Sequence, residues 1–130
     1  MDKIAVMGPS IARIVMGLFY WVMAAGLIKD FKPVTGLMAA KGVPAQAPLL
    51  AVTVIVWIVG GGALVVGRGV VPGTLVLMAL TLLVTPVMHN FWTAPPEQFA
   101  SELQHFLKNI AIVAGLLSIA ATAASATTAG

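Results

Sequence analysis

The residues best suited to chemistry lie together between His89 and Asn109. This stretch holds both histidines of the chain and two of its four carboxylates. Within it, Gln98, Glu102, His105 and Asn109 are spaced by four, three and four residues, so a helix would carry them on one face. Imidazole and carboxylate groups exchange protons near neutral pH. The stripe is therefore a candidate for proton exchange or for hydrogen bonding to a polar ligand.

Glu102 and His105 also form an E-x-x-H pair, which is one element of dimetal carboxylate sites. Such a site needs two pairs and two further glutamates, whereas the chain has four carboxylates and two of them, Asp2 and Asp30, lie on the flanks. We therefore expect no metal centre. A haem between His89 and His105 is a geometric alternative, although two interfacial histidines without a ligand are the more common arrangement.

The composition shows which medium surrounds these residues. The chain of 130 residues is 60% hydrophobic and 8% charged, with a mean hydropathy of +1.05. A soluble domain has roughly 25% charged residues, so we predict that this chain lies in a lipid bilayer. It has no cysteine, which excludes disulfides and thiolate metal sites. The net charge of +3 comes without a basic run, so no nucleic-acid partner is expected.

Four apolar stretches approach the ~20 residues that a membrane-spanning helix needs. They cover residues 11–28, 49–66, 70–88 and 106–122. Because lipid cannot satisfy bare backbone amides, they predict an all-α membrane protein: a four-transmembrane-helix bundle in a single domain, 1–130. Residues 95–105 are predicted to start the last helix in the interface, with Thr93 as its cap and fraying after Ala121.

Small residues predict where the helices touch. Gly60, Gly61 and Gly62 in the second span and Gly115 in the fourth permit close approach of helix backbones. The short link Gly67–Gly69 predicts that the second and third spans form an antiparallel hairpin.

Several segments together resemble the DoxX family of small four-span bacterial membrane proteins. In chain order they are "ARIVMGLFYWVMAAGLIK", "MAAKGVPAQAPLL", "GGGALVVGR", "HNFW" and "FLKNIAIVAGLL". The resemblance covers nearly the whole chain. One position departs from the family pattern, since many members carry a glutamate about three residues before the glycine pair of the second span. Trp57 occupies that position here.

The resemblance implies a role in redox chemistry. Family members are linked to quinone-coupled oxidation of thiosulfate, terminal oxidases and oxidative-stress complexes with soluble enzymes. The expectation is a multi-pass protein of the bacterial inner (cytoplasmic) membrane, an accessory component that binds quinone or docks a soluble or membrane oxidoreductase. The sequence contains no self-sufficient catalytic motif. Two alternatives are a structural or assembly subunit of a membrane complex and a small permease that works as a homo-oligomer.

A single pocket at the membrane boundary is the predicted ligand site. Arg13 and Lys108 would supply positive charge, His89 and Glu102 would exchange protons, and Trp92 would stack on a quinone headgroup. Arg13 is expected either to reach the lipid headgroups or to pair with Glu97 or Glu102. The predicted pocket comprises Arg13, His89, Trp92, Glu102, His105, Lys108 and Asn109.

Overall fold

The computed structural model describes residues 2–129, which form five α-helices and a short 3₁₀ turn. The helices are α1 (Asp2–Lys29), α2 (Phe31–Ala40), α3 (Gln46–Val66), α4 (Val70–Met88) and α5 (Pro96–Thr128), and the 3₁₀ turn is Phe91–Thr93. The prediction of four membrane-spanning helices is confirmed, since α1, α3, α5 and the segment containing α4 are long and apolar enough to cross a bilayer. Met1 and Gly130, the ends of the predicted domain, lie outside the described residues.

The outward faces of the long helices are apolar. Val59 on α3, Leu83 on α4 and Leu117 on α5 are 67%, 69% and 57% exposed. A water-soluble monomer rarely leaves a large continuous apolar surface uncovered. These faces therefore lie against lipid, and the bilayer takes the place that water has around a soluble fold.

Glycines let α1 and α3 approach closely in antiparallel fashion. A methyl group added at Gly17 would lie 2.5 Å from the carbonyl oxygen of Gly61, so neither helix has room for a side chain there. The indole of Trp21 lies over the same seam, and its Nε1 donates a hydrogen bond of 2.9 Å to the carbonyl of Ile58. Close packing and such polar contacts hold helices together in lipid.

The remaining predicted packing glycines lie at contacts of different tightness. Gly60 is buried against Leu77 of α4, where an added methyl group would lie 2.8 Å from the side chain. At Gly115 it would lie 3.0 Å from Met16, and at Gly62 3.6 Å from Trp21. The glycines of α3 thus face both α1 and α4, which places α3 between them.

A small core occupies the middle of the bundle. It contains Tyr20, Leu64, Leu77, Leu116 and Ile119. The Tyr20 hydroxyl shares a buried hydrogen bond of 2.7 Å with the Thr81 hydroxyl, which connects α1 to α4. Trp57 packs against this core with its ring edge-on to Tyr20 at 5.6 Å, and its Nε1 is buried without a hydrogen-bond partner.

Helix α5 differs from the prediction at both ends. Thr93 belongs to the 3₁₀ turn and does not cap α5; the N-cap is Pro95, without a side-chain cap bond. The helix also continues beyond Ala121 to Thr128, because the alanine-rich tail has a high intrinsic helix propensity.

The bundle has two chemically different ends. The turn end carries Gly67–Gly69, whose two glycines have φ of +80° and +65° and reverse the chain between α3 and α4. The loop end carries α2 and the 3₁₀ turn. Helix α4 has 19 residues, so the two ends are about 28 Å apart, close to the thickness of a bilayer core.

Candidate functional site

The loop end positions the predicted polar stripe through a tight chain reversal. His89 follows α4 directly, and its backbone N–H donates to the carbonyl of Thr85 at 2.9 Å, which continues the helical bonding by one residue. The 3₁₀ turn Phe91–Thr93 then reverses the chain, and Pro96 at the first position of α5 favours the new helix. As a result the end of α4 faces the early turns of α5.

Four ionisable side chains are connected at this end. His89 Nδ1 lies 2.9 Å from Glu102 Oε2, and the two side chains are 28% and 24% exposed. The His105 ring stacks on the His89 ring, with centroids 5.0 Å apart and an angle of 25° between the planes. Lys108 Nζ lies 3.5 Å from His105 Nδ1. We call His89, Glu102, His105 and Lys108 the histidine cluster. The hydrogen bond between His89 and Glu102 can carry a proton between imidazole and carboxylate, and both side chains remain partly accessible from outside.

Asn109 lies one helical turn beyond His105 and connects α5 to α4. Its Nδ2 donates a hydrogen bond of 3.1 Å to the hydroxyl of Thr85, which is buried and donates in turn to the carbonyl of Thr81. Sequence analysis did not identify Thr85 as this partner. A signal exists in the spacing, because Thr81 and Thr85 precede His89 at intervals of four and lie on the same face of α4.

A contact from the α2–α3 connection closes the loop end. The Lys41 ammonium donates to the side-chain oxygen of Asn90, and the Asn90 amide donates to the Thr93 hydroxyl at 2.5 Å. The sequence reasoning missed both Lys41 and Asn90. The local pattern held no signal for this pairing, since 49 residues separate the two positions.

Aromatic rings from the 3₁₀ turn and from the first turns of α5 pack together at the loop end. The Phe91 ring meets the rings of Trp92, Phe99 and Phe106 edge-on, at centroid distances of 5.2, 5.8 and 5.2 Å. Trp92 is 56% exposed, although it also contacts Phe106. Amphipathic rings favour the boundary between lipid and water. The loop end therefore presents polar groups and an exposed indole side by side.

Arg13 does not join this pocket. It lies at the turn end, where its Nη1 donates to the carbonyl of Leu64 and, at 3.2 Å, to that of Val65. These are among the last four carbonyls of α3, which have no partner within the helix. The prediction of one pocket containing Arg13 is corrected on this point, and the ion pairs of Arg13 with Glu97 or Glu102 do not form, because the bundle length separates them.

The other predicted residues of the pocket do come together at the loop end. His89, Glu102, His105, Lys108 and Asn109 lie along the α4–α5 contact, with Trp92 on the connecting turn. Because the histidine rings stack on each other, they do not flank a flat group such as a haem. Within residues 2–129, no group of three or more histidine, cysteine or acidic side chains could hold a metal ion.

The family model named DoxX matches residues 8–90, more than half of the chain. The chain belongs to the DoxX family. Comparison with curated proteins and with solved structures gave no match. The DoxX match includes Arg13, the glycines of α3 and His89, and it ends before Glu102. The partners of His89 on α5 therefore come from the part of this DoxX protein that the family model does not cover.

Proposed function

We propose that this DoxX-family protein is an accessory component of a redox system in the bacterial inner membrane, and that its histidine cluster binds a quinone headgroup. The observation that carries the proposal is the contact of His89 with Glu102, with His105 stacked on it. These groups are only partly buried, so a ligand can reach them from the membrane boundary.

The chemistry of a quinone matches this arrangement. Its headgroup is polar, with two carbonyl oxygens that accept hydrogen bonds, while its isoprenoid tail prefers lipid. Reduction to the quinol takes two electrons and two protons. A partner oxidoreductase would supply the electrons, and the histidine cluster would supply or collect protons. Trp92 offers an exposed aromatic face for the ring of the headgroup.

The same end is suited to a partner enzyme. Lys29, Lys32 and Lys108 are exposed at the loop end and Lys41 is half-buried there, so four lysines face the three carboxylates of that end, Asp30, Glu97 and Glu102. Exposed cations attract acidic protein surfaces and accelerate their association. A soluble oxidoreductase that docks here would bring its electron-transfer site close to a quinone at the histidine cluster.

The bonding between elements favours a second candidate, the structural or assembly subunit. Asn109 bonds Thr85, and Lys41 bonds Asn90, so several polar groups hold separate segments together. Under this alternative the cluster acts as a clasp, and removing it would loosen the loop end without changing the affinity for quinone.

Quinone titration of the full chain in detergent separates the two candidates. The probe is a short-chain ubiquinone, followed by quenching of tryptophan fluorescence, with Glu102→Gln compared with Glu97→Gln. Glu97 is an exposed carboxylate in the first turn of the same helix, so it is a matched control. We expect saturable quenching in the wild type and in Glu97→Gln, and an affinity about tenfold weaker in Glu102→Gln.

Two results would contradict quinone binding at this site. One is quenching that rises linearly with the quinone and does not saturate in the wild type. The other is equal affinity in the two glutamate variants. Equal affinity combined with a lower unfolding temperature for Glu102→Gln alone would support the clasp.

A further inference from the structure

A second cleft lies at the turn end and is independent of the proposed quinone site. It has a volume of about 770 Å³. Helix α1 packs mainly against α3, and α5 packs mainly against α4, which leaves a gap between α1 and α5 beside the α3–α4 turn. The walls of the gap come from the beginning of α1 and the end of α5, and its floor comes from the first residues of α4.

The lining of this cleft carries one cation and several hydroxyl groups. The guanidinium of Arg13 lines it, together with the hydroxyl-bearing residues Ser10, Ser118 and Thr122. A guanidinium has five N–H donors, and Nη1 is the atom that caps α3. The N–H groups on Nη2 and Nε of Arg13 are therefore available to donate to a second acceptor while Nη1 caps α3.

The floor adds to the positive potential. Val70 and Val71 form the first turn of α4 and line the cleft. The first amides of a helix have no partner within the helix, and the helix dipole places partial positive charge there. Among the described residues, the turn end carries Lys3, Arg13 and Arg68 against a single carboxylate, Asp2.

The depth of the cleft matches the headgroup layer. It lies at the level of the α3–α4 turn, where the ~30 Å apolar length of α4 begins. Val70, Val71 and Ile119 give it apolar walls on the side that continues into the bundle. We propose that this cleft binds a phosphate group, supplied either by an anionic phospholipid headgroup or by a soluble phosphate ester.

The test adds one negative charge to the floor of the cleft. In Val71→Asp, a carboxylate enters the first turn of α4, where the helix dipole tolerates it, so the fold is kept. Val71→Asn introduces a side chain of the same shape as aspartate but without its charge, so it is the matched control. Arg13 itself is a poor test position, because its loss would also remove the cap of α3.

Native mass spectrometry of the full chain would measure binding of phosphatidylglycerol and phosphatidylcholine, with inorganic phosphate as a competitor. We expect the wild type and Val71→Asn to prefer phosphatidylglycerol by about fivefold, the effect of one cation at a membrane surface, and Val71→Asp to lose this preference. Displacement of the lipid by millimolar phosphate would assign the site to a soluble phosphate, and resistance to displacement would assign it to the lipid. Equal binding of the two lipids by the wild type together with no effect of phosphate, or an unchanged preference in Val71→Asp, would overturn the proposal.

Discussion

The two ends of the bundle use their cations differently. At the turn end, Arg13 donates to backbone carbonyls of α3, so its position is fixed by a helix terminus. At the loop end, Lys108 and the two histidines contact other side chains, and His89 and Glu102 remain about a quarter exposed. A group bound to backbone holds the fold in place, whereas side chains that contact each other can exchange partners with a ligand. The comparison therefore distinguishes an end where the cation is bound to backbone from an end where charged side chains contact one another.

The largest effect on stability should come from Arg13. In Arg13→Leu, the carbonyls of Leu64 and Val65 lose their donor at the membrane boundary, and an unsatisfied buried polar group costs about 1–3 kcal/mol. We expect the free energy of unfolding in detergent to fall by about 2–3 kcal/mol, with unchanged quinone affinity in the folded fraction. Arg13→Lys keeps the charge but loses the planar guanidinium, so its unfolding free energy should lie between those of the wild type and Arg13→Leu. An Arg13→Leu variant as stable as the wild type would contradict the role of Arg13 in capping α3.

The next effect concerns ligand affinity at the loop end. His89→Ala removes both the contact with Glu102 and the stack on His105. We expect the dissociation constant for quinone to rise by about tenfold, equivalent to ~1.4 kcal/mol. Because partly exposed ion pairs contribute only about 0–1 kcal/mol, the unfolding free energy should change little. Fluorescence titration and chemical unfolding of one preparation would measure both quantities. A large loss of stability with unchanged quinone affinity would show that His89 has a structural role and does not bind the ligand.

A smaller effect is expected for Asn109. Asn109→Leu removes the hydrogen bond to Thr85 but fills a similar volume in lipid. Hydrogen bonds between membrane helices average about 0.6 kcal/mol, so we expect a loss of that order in unfolding free energy. Thr85→Val should cost a similar amount, and the double variant should cost less than the sum of the two, because the partners share one bond. Strict additivity in this double-mutant cycle would show that the pair contributes nothing.

The smallest effect should come from Trp92. Trp92→Phe keeps an aromatic ring against Phe91 and Phe106, so the unfolding free energy should change by less than about 0.5 kcal/mol. The quenching of tryptophan fluorescence by quinone should drop strongly, because Trp57 packs against the core and Trp21 lies over the α1–α3 seam rather than at the loop end. A quenching signal equal to that of the wild type would place the quinone away from the loop end.

Composition and hydrophobic run lengths were enough to predict the four long helices, because lipid imposes one simple requirement on the backbone. The α4–α5 side of the site was also predictable, since the helical spacing of Glu102, His105 and Asn109 brings them to one face. The position of Arg13 was also within reach of the sequence, because four spans that alternate in direction put the start of the first span and the start of the fourth at opposite ends of the bundle. The predicted pocket did not take this order into account.

Contacts between distant segments were the hardest to predict. Nothing near Lys41 indicates that it reaches Asn90, and nothing near Tyr20 indicates that its hydroxyl meets Thr81 inside the bundle. The extension of α5 to Thr128 was missed for a different reason. Small uncharged residues resemble a fraying tail, yet alanine has a high intrinsic preference for the helix.

Photolabelling with an azidoquinone would show where a quinone headgroup binds to the bundle. The wild-type protein in lipid nanodiscs would be irradiated with the probe, digested and mapped by mass spectrometry, with an excess of unlabelled quinone as competitor. We expect competed labels on the loop end, within the segment from His89 to Lys108. Competed labels at the turn end around Arg13, or labels spread evenly over the lipid-facing helices and unaffected by competitor, would contradict this expectation.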